Sequence, residues 1–572
     1  MAEAKSSSRS TALSVALSSI TRAMRYVFIF SLPLSLLSLL QPLYSMQVFD
    51  RVFTSRSVET LIGLTAVILV GYAFYGMLHA VRASVVARIV EWLERKLAPQ
   101  LLSVSIIHAA ETGNPMAGQH QRDLMTIKNF IATASPTMMD VPWSFIFVIV
   151  VYMINPILGF ITVLGLFMLI GSALVNEYAT RRALMRATER SIESALNADV
   201  LGRQSEAIQA MGMGEAVVAA WQRDNARGLV LQDTAQQRSA VIAGFSRSLR
   251  LMLQIAITGI GAYLALHNEL SSGGLIASSL LMGRALAPFE GTISMWKSFI
   301  SARDAYQRLH TLLRGAPENT SITQLPTPAG QLTIDNLYVA IGGTPILRNI
   351  NFQLAAGESL GIIGPSAAGK STLAKAMVGI YPPQHGNVRL DGADIYRWAR
   401  SDVGPHIGYL PQQVELFAGT IKQNIARMLE FPDDAAVIDA AQKAGVHQLI
   451  LQLPDAYDTR YIPGNAVLSP GQKQRIGLAR ALYGAPKLVV LDEPNSNMDG
   501  DGERALMQTL AMLKQAQVTT VIVAHRPSVL ASVDKVLALR GGMIDILGSR
   551  EEVLGRFTGA PRLTPTAEGD RL

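Results

Sequence analysis

Gly364-Pro365-Ser366-Ala367-Ala368-Gly369-Lys370-Ser371, followed by Thr372, has the spacing G-x-x-x-x-G-K-[ST]. Glycines placed in this way let backbone N–H groups close around phosphate oxygens, while the lysine reaches the outer phosphates and the hydroxyl ligates Mg²⁺. The chemistry implied is binding of a nucleoside triphosphate, with Lys370 on its outer phosphates and Ser371 on the metal. Leu488-Val489-Val490-Leu491-Asp492-Glu493 is a buried-strand run ending in two carboxylates. Asp492 is expected to hold Mg²⁺ through water, and Glu493 to orient or deprotonate the water that attacks the terminal phosphate. A third run, Leu468-Ser469-Pro470-Gly471-Gln472, precedes a strong helical pattern, Lys473 to Tyr483. Taken alone it is a helix start, with Ser469 as N-cap, Pro470 at the first helical position and Gln472 closing an S-x-x-Q capping box.

The phosphate loop needs a strand before it and a helix after it. The apolar run Leu360 to Ile363 and the stretch Ser371 to Val378 supply them, and the helix N-terminus adds its partial positive charge. From Leu332 onward, short β-like runs alternate with helices, which predicts an α/β P-loop nucleotide-binding domain over 332–560. Pro317 to Gly330, rich in Pro and Thr, reads as the core of a linker over 316–331. The charged residues 561–572 read as a disordered tail.

The first half has a different character. Of 572 residues 49% are hydrophobic and only 16% charged, and the apolar excess lies before about residue 295. Apolar segments at 26–45, 60–81, 138–154, 157–176, 249–267 and 273–292 approach the ~20 residues that a bilayer requires. They predict a six-helix transmembrane domain over 24–315. Arg22 and Arg25 precede the first segment. Arg82, Arg88, Arg95, Lys96, Arg122 and Lys128 lie between the second and third, and Arg181, Arg182, Arg186, Arg190, Arg203, Arg223, Arg227 and Arg238 between the fourth and fifth. The short connections hold only Arg51 and Arg56. Positive residues stay on the cytoplasmic side, so both termini, both long loops and the phosphate loop are expected there. The long loops carry helical apolar spacing over Val85 to Ala109 and Arg181 to Arg238. Residues 1–23 form a short, Ser-rich cytoplasmic segment and a poor signal peptide, because the apolar stretch that follows is too long and lacks a cleavage site. The net charge of +7 fits membrane topology, and no nucleic-acid partner is expected. The chain has no Cys, which excludes disulfides, thiolate metal sites and a cysteine nucleophile.

Leu468 to Gln472 resembles the signature sequence of ATP-binding cassette (ABC) proteins, usually written LSGGQ. The resemblance extends over the whole second half. Gln412, in Tyr409-Leu410-Pro411-Gln412, is similar to the glutamine-loop residue that touches Mg²⁺ and the coupling helices. Asn497-Met498-Asp499 resembles the D-loop, and His525, after the strand Val521 to Ala524, resembles the switch histidine at the terminal phosphate. The resemblance implies two such domains facing head to tail. Each ATP would then lie between one phosphate loop and the partner's signature helix, contacted there through Ser469, the N–H of Gly471 and the turn closed by Gln472. One chain with one motor and six spans implies a homodimer. Two departures stand out: Pro470 replaces a glycine, and the position that commonly carries an adenine-stacking aromatic is Ile341, with Tyr338 nearby.

Further stretches narrow the resemblance to type I secretion permease/ATPases of the alkaline-protease exporter (PrtD-like) family. They are Leu43 to Val52, Arg122-Asp123-Leu124, Asp140-Val141-Pro142-Trp143, Ala210-Met211-Gly212-Met213, Gly283 to Pro288, and Glu493-Pro494-Asn495-Ser496-Asn497-Met498-Asp499. This resemblance implies a type I ABC exporter fold in the inner membrane. It also implies ATP-driven export of unfolded proteins with C-terminal secretion signals, with a periplasmic membrane fusion (adaptor) protein and an outer-membrane channel. An exporter of lipid or small molecules on the same architecture is the alternative. A cysteine-peptidase leader domain is not expected, since the chain lacks Cys and has little length before the first span. Arg284, in the middle of the sixth span, is expected either to face the transport pathway or to pair with Glu290. The tips 112–118 and 210–214 are expected to be coupling segments, and the spans are expected to contact membrane lipids.

Overall fold

The structure is a computed structural model that describes residues 12–113, 117–315, 325–464, 468–524 and 526–558. His525, the first residues of the N-terminal segment, 114–116 of the first loop tip, 316–324 of the linker and the tail 561–572 lie outside the described residues. The chain divides into two compact units: 1–109 with 115–316, and 110–114 with 317–572.

Long helices make up the first unit. The first expected span lies within Ile20–Ser55, where Ala12–Leu37, Leu40–Gln47 and a wider-wound segment, Val48–Val52, follow one another. Val58–Thr112, Pro156–Arg203 and Gly214–Leu266 are single helices of 55, 48 and 53 residues. Each runs far past the ~20 residues of a bilayer, so the helical spacing in the long loops is the continuation of membrane helices. Asn155, extended at the turn after Phe145–Ile154, starts the fourth by accepting from Ile157 N–H (2.9 Å) and Leu158 N–H (3.4 Å).

Among the described residues five helices are long and apolar enough to cross a membrane. The sixth expected span is helical, within Ser272–Gly315, but it falls short of that apolarity. It carries Arg284, Pro288 and Glu290, and its apolar residues Ala277, Leu281, Met282, Ala285 and Leu286 are fully buried against neighbouring helices. A helix shielded from lipid by its neighbours can be less apolar than one that faces hydrocarbon. Polar contacts tie the bundle together. Arg82 reaches Asp140 (2.7 Å) and Ser31 (3.0 Å), and the Trp143 indole donates to Phe28 O (2.9 Å). Arg308 grips Asp123 through Nε (2.9 Å) and Nη2 (2.7 Å). Asp50 accepts from Ser271 Oγ (2.7 Å) and Gly273 N–H (2.8 Å), capping the helix Ser272–Gly315.

In the second unit, β1 (Leu332–Ile341), β2 (Thr344–Leu354), β4 (His385–Leu390) and β5 (Ala393–Asp394) form an antiparallel sheet in the order β2-β1-β4-β5. β3 (Ser359–Ile363), β6 (Ile407–Leu410), β9 (Leu488–Asp492), β10 (Thr519–Val523), β11 (Lys535–Arg540) and β12 (Met543–Ser549) form a second sheet in the order β12-β11-β3-β10-β9-β6. All but β12 are parallel there, and β7 (Gly419–Thr420) and β8 (Arg460–Tyr461) form a separate antiparallel pair. Strands buried on both faces read as continuous apolar runs, as β9 and β10 do. One face carries the phosphate-loop helix Lys370–Met377, and the other carries the signature helix Pro470–Leu482 and Gly500–Gln515.

Candidate active site

Parallel register decides where the chemistry collects. Val523 pairs with Ile362 and with Asp492, and Leu410 with Leu491. The phosphate loop, the two carboxylates and Gln412 therefore emerge at one edge, the carboxyl ends of the strands, where open α/β sheets bind ligands.

Gly364 leaves β3 with φ +153°, and a Cβ there would lie 2.2 Å from Leu539 O, so only glycine fits. Pro365, Ser366 and Ala367 turn outward and are exposed. Ala368 is buried, and its N–H closes the turn on Pro365 O (3.2 Å). Gly369, also left-handed, opens the helix Lys370–Met377. Lys370 is 7% exposed, and its Nζ donates to Gly364 O (2.9 Å) and Pro365 O (3.0 Å). Its ammonium thus rests on the rim of the loop that would hold phosphate. Thr372, next to Ser371 in the first helical turn, is half-buried.

Ser371 Oγ donates to Asp492 Oδ1 (3.2 Å). Asp492 is 1% exposed, and burial raises its pKa, with Glu493 adding; the Ser371 hydrogen bond, Lys375 and Lys370 oppose the shift. A buried carboxylate beside a hydroxyl is a hard-oxygen donor set that gains from a divalent cation, so these residues fit Mg²⁺. Tyr409 faces the same side of the sheet as Asp492. Its hydroxyl is buried without a hydrogen-bond partner among the described residues, and burial raises its pKa.

Glu493 has a left-handed backbone (φ +50°), anchored by its N–H on Val523 O (3.0 Å). Such conformations in non-glycine residues cluster at functional sites. Its Oε2 accepts from Gln412 Nε2 (2.9 Å), which joins the glutamine-loop residue to the expected base. Ile341 ends β1 at the Gly342-Gly343 turn, half-buried, while the Tyr338 ring packs against His385 (6.0 Å).

The capping box is present: Gln472 N–H donates to Ser469 Oγ (3.2 Å) and Ser469 N–H to Gln472 Oε1 (2.8 Å), with Pro470 in the first turn. Among the described residues no hydrogen bond joins Ser469–Gln472 to the phosphate loop of the same chain. The signature helix bears instead on the loop after Glu493. A Cβ on Gly471 would sit 2.5 Å from Asn497 O. Gly471→Ala is expected to lower ATP turnover about tenfold, read by phosphate release, because one backbone must yield. Asp499 caps Gly500–Gln515 through Gly502 N–H (2.8 Å) and pairs with Arg475 (3.5 Å).

Three residues at this site lay outside the sequence-based expectation: Tyr409, Gln474 and Arg480. Arg480 donates to Asn424 O (2.9 Å) and Glu415 O (3.1 Å) and lies over the Phe417 ring (4.9 Å), holding the segment after Gln412. Burial pushes its guanidinium down to about 10, so it stays charged at neutral pH. Gln474 carried a usable signal, a polar residue on the apolar stripe of its helix with Gly477, Leu478 and Ala481.

In the first unit, Arg284 Nη2 donates to Gln41 Oε1 (2.9 Å). The alternative pairing with Glu290 is not formed: Glu290 takes Arg250 (2.7 Å) and Arg247 (3.3 Å), which lie closer to it on the neighbouring helix.

Residues 347–496 match the family described as "ABC transporter". Over 532 residues the chain is 38% identical to the type I secretion system ATP-binding protein PrsD of Rhizobium meliloti (strain 1021), covering 91% of this chain and 90% of PrsD. The chain belongs to the type I secretion ATP-binding proteins, within the ABC transporters. This exporter is also 29% identical to the leukotoxin translocation ATP-binding protein LktB of Bibersteinia trehalosi, covering 93% of the chain and 76% of LktB. A solved bacterial Atm1-family ABC exporter with ATP bound shares its fold, with a TM-score of 0.78, 20% identity and coverage of 94% of this chain and 96% of that one. The family resemblance, the exporter fold and the reading as an ATPase coupled to transport are thereby borne out, and the exporter is a multi-pass membrane protein.

Proposed function

We propose that this chain is the motor of a type I secretion system. As a homodimer in the inner membrane it hydrolyses ATP to export unfolded proteins with C-terminal secretion signals. A periplasmic adaptor protein and an outer-membrane channel complete the path. The observation that carries this reading is similarity over nearly the full length to a type I secretion protein, joined to an intact array of Lys370, Ser371, Asp492, Glu493 and Gln412. The names of relatives agree: one is a leukotoxin translocation protein, and CyaB of Bordetella pertussis, 27% identical, is a cyclolysin secretion/processing protein. In the dimer, each ATP would lie between one chain's phosphate loop and the partner's Ser469–Gln472 turn, whose helix N-terminus suits phosphate. Mg²⁺, when bound, would neutralise charge developing on the phosphates. Ser371 and Asp492 would hold it, with Gln412 nearby. Lys370 leaves its loop carbonyls for the outer phosphates, and Glu493, held by Gln412, takes the proton of the attacking water. The positive residues flanking the spans support cytoplasmic termini and motor. The most apolar window of Val58–Thr112 holds no fully buried residue in its own chain, which leaves lipid and a second copy to cover it.

The test compares the secretomes of cells carrying the wild-type chain and Glu493→Gln at matched expression. Loss of one or a few proteins from the medium, with retention inside mutant cells, supports protein export and names the cargo. An unchanged secretome moves the reading to lipid or small-molecule export. Arg284→Gln is expected to slow cargo release severalfold while ATPase persists, as a pathway cation would. Full secretion by that variant would remove Arg284 from the pathway.

A further inference from the structure

The loop Glu493 to Asp499 runs from the catalytic carboxylate to the N-cap of Gly500–Gln515. The first two turns of the signature helix clasp it. Gln474, 1% exposed, sends Nε2 to Glu493 O (3.2 Å) and Pro494 O (2.6 Å), close also to Ser496 Oγ (3.4 Å). Its Oε1 accepts from Asn497 N–H (3.2 Å). Gly471 abuts Asn497 O, and Arg475 pairs with Asp499. A single buried amide thus holds both ends of a short loop that begins at the base.

We propose that Gln474 is a positioning residue that couples the two nucleotide sites of the dimer. The inference rests on the head-to-tail reading above. There the N-terminus of this chain's signature helix bears on ATP held by the partner, while Glu493 acts on ATP held by its own phosphate loop. A helix is stiff over one turn, so a shift at Ser469 moves Gln474 with it. Gln474 has its donor and acceptor engaged on the 493–497 backbone, so the shift is delivered to the φ +50° backbone that aims the Glu493 carboxylate. Occupancy of one site then sets the alignment of the base in the other. A purely structural role, satisfying buried carbonyls, predicts loss of stability and of function together.

The test uses the full-length protein in lipid nanodiscs, with Gln474→Ala and the similarly sized Gln474→Met. Measured are ATP turnover against ATP concentration, binding of a fluorescent ATP analogue, and thermal unfolding. The expected result for both variants is nucleotide binding within about twofold of wild type, an unfolding temperature lowered by no more than a few degrees, turnover down about tenfold, and a Hill coefficient that falls from above 1 to 1. Turnover and Hill coefficient both staying near wild type would overturn the proposal. So would a larger, joint fall of unfolding temperature and nucleotide binding in both variants, or a wild-type Hill coefficient of 1. The head-to-tail reading is checked separately in Glu493→Gln, which leaves Gln474 in place. If ATP fails to bring the two motors of that variant together, as read by cross-linking, the dimer reading fails rather than the role of Gln474.

Discussion

Replacing Glu493 with Gln is expected to leave ATP bound and unhydrolysed, with turnover lowered about 10²–10⁴-fold. Gln412 Nε2 donates to Glu493 Oε2, and the amide oxygen of the variant can accept the same bond. The backbone anchor on Val523 O is untouched, so shape is retained and only the base is lost. Phosphate release should collapse, while binding of a fluorescent ATP analogue stays within about twofold of wild type, because Lys370 and the phosphate loop are unchanged. A variant that kept more than about a tenth of wild-type turnover would move the base elsewhere, with His525 the first alternative.

Arg308→Leu is expected to cost about 3–5 kcal/mol, enough to deplete folded exporter from the membrane. The Asp123 side chain is only 2% exposed, and its remaining partner among the described residues would be Gln119 (2.9 Å). A charge left buried without its fork of donors is far costlier than the absence of the pair. The double variant Asp123→Leu/Arg308→Leu should therefore recover most of the loss. Fluorescence-detected size exclusion and thermal unfolding in detergent would measure both. A single variant as stable as the wild type would show that the pair does not hold Ala117–Asn129 to Ser272–Gly315.

What could be read from the sequence was local. The phosphate loop, the carboxylates ending β9 and the Ser469–Gln472 capping box declare themselves within a few residues, because backbone geometry there is set by neighbours in the chain. Pairings between distant residues could not be read in this way. Arg284 meets Gln41, 243 residues away, rather than Glu290 one to two turns on, and Gln474 reaches a loop about 20 residues distant. The sixth span was legible as a helix, but its shelter from lipid was not, because shelter depends on which helices surround it. The scattered stretches that carried the family resemblance now have physical content. Asp50, Asp123, Asp140 and Trp143 each make a polar joint between elements of the bundle, and such joints tolerate little change where water cannot compensate.

The Asp50 cap has an evolutionary corollary. Ser271 already supplies the usual cap by accepting from Gly274 N–H (2.9 Å), and Asp50 accepts from the hydroxyl of Ser271, 221 residues away, and from the N–H of Gly273, 223 residues away. A Cβ on Gly273 would lie 2.4 Å from Met46 O as well as 2.6 Å from the Asp50 carboxylate, so backbone alone holds position 273 to glycine whatever stands at 50. Positions 50 and 271 should therefore drift as a pair while 273 stays fixed. In an alignment of the family, lineages that lose the acid at 50 should be the ones that change the hydroxyl at 271, with the glycine at 273 kept.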